Sequence, residues 1–294
     1  MDVEITKLNG ESFRLSDYDV TVRDFDVSSI PVEGVYGDVE GRSGLVNYGA
    51  EFGQRTITIP IYTKAYDMGD YALLRDELFG LMTTSEPFYV REMRRLSEFS
   101  TCGEDPDDEY VGGKRYKVRV TGAYNLEQMR IYGFGEIMLE TVDLPFAESI
   151  KTTADIDKNG LRYGDGWSYG MGLLYDDESH KYTHTGTSFK IYNAGSVPIH
   201  PFEQELKITI DDVVGSSNYL QLENTTNRTT FRVTEGVGSN QTIILDGANI
   251  TSNGTQYLRK TNRQFIELDP GWNEFKITGA SSARVAFDHP FYYL

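Results

Sequence analysis

The sequence has one cysteine, Cys102, among 294 residues. No intramolecular disulfide can form, and no thiolate cluster is available to a metal. Cys102 stands beside Gly103 in a polar stretch without a neighbouring histidine, which argues against a nucleophilic thiol. Positive charge is also scarce, with 28 basic against 45 acidic side chains and a net charge of −17, so the general field of the chain repels phosphate rather than attracting it. No apolar run reaches the ~18–20 residues a membrane-spanning helix needs. The first residues lack a basic segment followed by an apolar one, so no secretory leader is expected and the chain reads as made in the cytoplasm. Histidines number four and are scattered; His180 and His184 alone fall at i, i+4, in a stretch that does not read as helix. H-E-x-x-H, P-loop, G-x-S-x-G and dinucleotide fingerprints are all missing, and neither an enzyme nor a cofactor is expected. Asp155-Ile156-Asp157-Lys158-Asn159-Gly160 matches the opening of a calcium loop, but its twelfth position would be Gly166 where a bidentate Glu is needed, so no metal is expected there either.

What the chain does have is aromatic residues and glycine: 20 Tyr, 15 Phe and 29 Gly. Tyrosine packs a ring while keeping its hydroxyl wet, which suits sheets with one wet face, so the fold class is mainly β. The charge is uneven, with 28 acidic and 15 basic residues in positions 1–150 against 17 and 13 in the rest, consistent with two domains. An N-terminal β domain is expected over 1–148, a polar linker over 149–169, and a second β domain over 170–294.

In the first domain, Asn9-Gly10 between two alternating runs signals a hairpin. Gly34, Gly37, Gly41, Gly44, Gly49 and Gly53 then punctuate a segment that includes Val35-Tyr36, Val39 and Leu45-Val46, the pattern of turns, bulges or an extended hairpin packing closely on another chain. Thr56–Tyr62 is a β-branched strand whose Pro60 argues for an edge or a bulge. Leu74, Leu78, Leu81 and Met82 form one stripe of a helix over about 70–83, with Asp70 placed to cap it. The Lys114–Arg119 alternation reads as the wet face of a strand, and the acidic run Glu104–Glu109 as a projecting loop.

In the second domain, Phe189 and Ile191 alternate with polar residues in a strand that Asn193-Ala194-Gly195 stops. Strands at Phe231–Val233, Thr242–Asp246, Phe265–Leu268, Trp272–Thr278 and Arg284–Phe287 are spaced as in a sandwich or jelly roll. Five N-x-T triplets in 224–255 read as polar sheet surface. Trp167 and Trp272 are candidate flat faces for a sugar ring.

Together, SFKIYNAGSVPIHP, the later FIELDPGWNEFKITG with its aromatic C-terminal strand, and, in the first half, GVYGDVEGRSG, RTITIPIY, DYALLRDELFGLM and PFYVREM resemble the siphophage distal tail protein family over nearly the whole chain. The resemblance implies an N-terminal ring-forming β-barrel or sandwich with one helix and a long hairpin, and a C-terminal galectin-like β-sandwich (jelly roll). It implies a hexameric ring in the virion, at a phage tail tip or baseplate. The ring would join the tail tube to the tail-tip protein and hold receptor-binding proteins or reach a host glycan, while DNA passes its lumen without specific binding. Carried onto this chain, the inter-subunit hairpin comprises Gly34, Tyr36, Gly37, Gly41, Arg42, Gly44, Tyr48 and Gly53. The Asp269–Asn273 turn becomes a fold determinant. The competing reading is a carbohydrate-binding module of a cell-surface adhesin or tail adsorption apparatus.

Overall fold

The structure is a computed structural model that describes residues 1–95, 110–162, 166–168, 170–174 and 178–294. Cys102 and the acidic run Glu104–Glu109 lie outside the described residues. The chain divides into two compact units, Met1–Ala147 with Leu294, and Glu148–Tyr293.

The first unit is built from β1 (Asp2–Lys7), β2 (Ser12–Arg14), β3 (Val20–Val22), β4 (Asp26–Val27), β5 (Val32–Gly37), β6 (Val46–Phe52), β7 (Thr56–Lys64), α1 (Asp70–Met82), β8 (Phe88–Arg95), β9 (Tyr110–Val111), β10 (Lys114–Val120), β11 (Glu127–Met129) and β12 (Tyr132–Thr141). Its main sheet runs β2-β1-β8-β10-β12-β7-β3, antiparallel throughout. Strict alternation puts Ile57, Ile59 and Ile61 of β7 inside, where they meet Ile137 and Leu139 of β12, Val118, Phe88, Val90, Val3 and Ile5. Asn9-Gly10 forms the β1–β2 turn: the Asn9 carboxamide accepts from the Glu11 amide, and Gly10 takes φ +89°.

Pro60 lies within an interior strand, neither at an edge nor in a bulge. The neighbour on its carbonyl side is interrupted between Val22 and Asp26, and the Arg23 amide donates to the Pro60 carbonyl in that gap. In an antiparallel ladder a residue's N and O point the same way, so the missing N–H faces a place where no ladder bond is asked of it.

Helix α1 lays Tyr71, Leu78 and Met82 into the core, with Leu74 and Leu81 half-buried beside them. Tyr71 packs where a Cβ on Gly133 of β12 would lie 2.9 Å from its ring. The cap differs from the sequence expectation. Asp67 supplies the carboxylate that accepts from the Gly69 and Asp70 amides, at 2.7 and 2.8 Å, whereas Asp70 turns back to the Tyr66 amide. One acid that begins the loop can reach both orphan donors; Asp70 is already inside the first turn.

The second unit is a β-sandwich. Its strands are β13 (Ala147–Ser149) at the boundary, β14 (Thr183–Gly186), β15 (Ser188–Asn193), β16 (Lys207–Val214), β17 (Leu220–Asn224), β18 (Thr229–Val233), β19 (Ile243–Asp246), β20 (Asn249–Ser252), β21 (Thr255–Gln256), β22 (Gly271–Thr278), β23 (Ser282–Asp288) and β24 (Tyr292–Tyr293). One sheet runs β14-β23-β16-β19-β20-β21 and the other β15-β22-β17-β18. Their inner faces meet through Phe189, Phe275 and Phe287, whose rings lie 4.9–6.2 Å apart. The described residues of 149–169, the stretch expected to be a linker, fall in this unit and hold a second helix, α2 (Thr153–Asn159). Only Thr153 and Ile156 of that helix are buried, too few to write a period into the sequence.

Candidate interaction surface

Among the described residues, strands β5 and β6 pair with each other and with no other strand. An isolated two-stranded ladder is marginal in water, so a hairpin like this asks for something to lie on. At its base the Gly53 amide donates to the Pro31 carbonyl, and Phe52 meets Phe146 edge-on at 5.7 Å. Along the two strands and their turn almost every residue is exposed, including Val32, Val35, Val39 and Leu45, with Tyr36 at 60%, Tyr48 at 65% and Phe52 at 53%. Exposed large apolar side chains gathered on one short hairpin in this way point to an interaction site.

The glycines shape that surface. The register slips between Val35 and Tyr36, so that Val35 faces Gly49, Tyr36 faces Asn47, and Tyr48 is the extra residue of a bulge. Gly49 at φ +119° makes the bulge possible, and its amide is held by the Asn47 carboxamide at 2.9 Å. Bare backbone at Gly34 and Gly37 then serves as a bed for the two rings. A Cβ at Gly34 would lie 2.5 Å from the Tyr36 ring, and one at Gly37 would lie 2.3 Å from that of Tyr48. Arg42 sits in the turn between Gly41 and Gly44, its amide donating to the Val39 carbonyl. The residues singled out from sequence therefore group as ring platforms (Gly34, Gly37), rings (Tyr36, Tyr48), tip (Gly41, Arg42, Gly44) and base (Gly53).

Sequence reasoning missed one feature of this surface. Glu33 and Glu51 face each other directly across the ladder. Like charges in that position are unfavourable by a few tenths of a kcal/mol or more. Period-2 counting from the bulge outward would have found the pair, but the bulge itself is not visible in the residue string.

The two tryptophans part company. Trp167 is 1% exposed, packed against Phe291 at 5.9 Å, and donates its indole N–H to Asp155. A buried ring offers no face to a sugar, so Trp167 is a core residue and not a carbohydrate contact. Trp272 is half-buried, with the Lys190 ammonium 4.3 Å from its ring centroid and Tyr192 at 5.0 Å. The ammonium covers a ring face by a cation–π contact. The same strands line a shallow depression of about 430 Å³ bordered by Ser188, Lys190, Thr225, Glu274 and Lys276.

The calcium-like stretch is spent on structure. Asp155 accepts from Asn159 and Trp167, and Asp157 accepts the Tyr182 amide at 2.8 Å. No group of three or more His, Cys, Asp or Glu side chains is placed to hold a metal among the described residues. The Asp269–Asn273 turn is closed from inside. Asn273, fully buried, accepts from the Asp269 amide and donates to the Asp269 and Gly271 carbonyls. Asn224 donates to Asn273 in turn, at 2.9 Å. Asn193 closes its own turn by accepting from Gly195 and donating to Val197. The two sequence signatures of this unit also touch, since Ile199 and Leu268 exchange a pair of backbone hydrogen bonds at 2.8 and 3.0 Å.

His289 is fully buried, edge-on against Tyr182 and Phe291, and its Nε2 has no hydrogen-bond partner among the described residues. Burial pushes its pKa down to about 4.

Residues 8–141 match the family model described as the phage tail protein RIFT-related domain. Over 98% of this chain and 99% of the other, at 12% identity and a TM-score of 0.61, the fold is that of the Dit protein of phage SPP1, described as a paradigm of the hub adsorption apparatus in phages infecting Gram-positive bacteria. A likeness to the phage P2 baseplate, in its activated conformation with Ca, covers 99% of this chain and 97% of that one at 9% identity and a TM-score of only 0.43. No curated protein matches by sequence. The family model thus accounts for most of the first unit, and the structural likeness shows the fold of the chain.

Proposed function

We propose, from an N-terminal domain of the phage tail RIFT-related family on a chain with the distal tail protein fold, that this protein is a structural hub of a phage tail tip or baseplate. Copies close into a hexameric ring in which the β5–β6 hairpin of one subunit lies on the next. The ring joins the tail tube to the tail-tip protein, and the second unit, a galectin-like sandwich, faces outward, where receptor-binding proteins are anchored. DNA passes the acidic lumen without specific contact. The observation that carries the reading is a hairpin paired to no other strand among the described residues, presenting Tyr36, Tyr48 and their apolar neighbours to solvent. Its role here is structural and not catalytic.

Glycan binding by the second unit alone finds less support, since one candidate tryptophan is buried and the other ring carries the Lys190 ammonium. Light scattering and negative-stain images of the purified protein test the hub reading. Closed rings of about six chains are expected. A strict monomer at high concentration that binds glycan would overturn the reading in favour of the module.

A further inference from the structure

Outside the hairpin, the first unit exposes a second group of large apolar side chains. Tyr66 is 91% exposed, Leu73 70%, Met68 64% and Met129 59%. They share one end of the domain. Tyr66 and Met68 follow the Lys64 end of β7, and Leu73 lies on α1 just beyond. Met129 is opposite Tyr132, the β12 residue that pairs with Lys64. The hairpin is rooted at the other end of the same strand, three residues before Thr56. A nine-residue strand spans roughly 27 Å at ~3.3 Å per residue, so the roots of the two apolar surfaces are that far apart.

Each surface holds side-chain charges that no ion pair among the described residues satisfies. The hairpin carries the facing pair Glu33 and Glu51, and neither has an ion-pair partner among the described residues. The second surface carries Lys64, whose ammonium rests 6.0 Å over the Tyr132 ring, and Arg130, at the turn between β11 and β12 with φ +59°. Neither of these cations has an acidic partner among the described residues. Asp67, Asp70 and Glu127 at the same end stay anionic, but the first two carboxylates are tied to the loop's own amides of Gly69, Asp70 and Tyr66, so Lys64 and Arg130 remain the cations open to an incoming acid.

A head-to-tail contact between identical chains needs two different, complementary patches on each chain, which is what these surfaces supply. We infer that the end of the domain formed by Tyr66, Met68, Leu73 and Met129 is the seat for the hairpin of a second copy, with Lys64 and Arg130 meeting the Glu33–Glu51 pair. The inference rests on the hairpin's being an inter-subunit element, and it adds the receiving surface and the charges that fix register.

Charge exchange tests it. Lys64→Glu with Arg130→Glu, and separately Glu33→Lys with Glu51→Lys, are each expected to weaken self-association about tenfold or more by light scattering and analytical centrifugation. The four substitutions combined should return it to within about threefold of the parent. Circular dichroism confirms that each variant is folded. Because a variant can misfold, a second measurement uses the parent contacts: Tyr36→Cys and Leu73→Cys in a Cys102→Ser chain should give a disulfide-linked ladder on oxidation, and either cysteine alone should not. If Tyr36→Ala with Tyr48→Ala dissociates the assembly while Lys64→Glu with Arg130→Glu leaves it intact, the hairpin reading stands and this seat is overturned. A parent chain that stays monomeric overturns both.

Discussion

Two antiparallel strand pairs in this molecule have similar ladders and opposite fates. In β15–β22, Phe189 faces Phe275, and Ile191 and Asn193 face Asn273 and Gly271, so one side of the ladder disappears into the sandwich core. In β5–β6, Val32 faces Phe52 and Glu33 faces Glu51, and both sides stay in solvent. The hydrogen bonding is the same kind in each. What differs is whether the chain itself brings a second layer. The first pair stabilises its own fold, whereas the second is the element proposed to meet another copy, and substitutions should divide along that line.

The sharpest break is expected at Asn273→Ala. It removes an acceptor from the Asp269 amide and donors from two carbonyls inside a fully buried turn. Each orphaned buried group costs ~1–3 kcal/mol, so a loss of about 3 kcal/mol is expected in the unfolding transition of the second unit, measured by urea titration. Ring formation should persist below that transition.

Acid should separate the regions in the same way. His289 has a folded pKa of about 4 against an ordinary 6.5, because burial disfavours its charged form. The unfolded chain therefore binds the extra proton first. Stability from this group is fully present above pH 6.5 and is lost as pH falls towards 4, by about 3 kcal/mol in all. Unfolding at pH 7, 5.5 and 4 should show that loss in the parent and a much flatter profile in His289→Leu, whose side chain has no buried nitrogen to protonate. An equal acid response in the variant would assign the effect to other groups.

Gly49→Ala should act on the hairpin alone. A side chain at φ +119° costs roughly 1–2 kcal/mol and removes the bulge that places Tyr48. Self-association should weaken several-fold, with the first unit's melting temperature nearly unchanged. The smallest stability effect belongs to Tyr36→Ala with Tyr48→Ala, within about 0.5 kcal/mol in the isolated chain because the rings are solvent-exposed. The same double variant should abolish assembly. If it instead destabilised the monomer as strongly as Asn273→Ala, the contrast between the two strand pairs would be lost.

Much of the fold was legible because its causes are local. Alternation in Thr56–Lys64 announces β7, Asn9-Gly10 announces the first hairpin, and the Leu78–Met82 stripe announces α1. The misreadings share a cause too. Pro60 suggested an edge because its missing donor is local, whereas the gap it faces is made by residues nearly forty positions earlier. Trp167 looked available because its sequence neighbours are polar, yet Phe291 arrives from the far end of the chain to bury it. Helix α2 was missed since two buried residues cannot write a period.

At the candidate surface, the sequence by itself determined the turn chemistry, the glycine pattern and the choice of tyrosine. Each depends on backbone dihedrals or side-chain type at a single position. Only the tertiary structure decided which apolar residues its own fold covers. Val32, Val35 and Phe52 read like any core strand, because alternation records which side chains are apolar and not what will lie against them. Burial is a sum over contacts from distant parts of the chain. In this protein that sum closes around Ile57, Ile59 and Ile61 and stops short of the hairpin next to them in sequence.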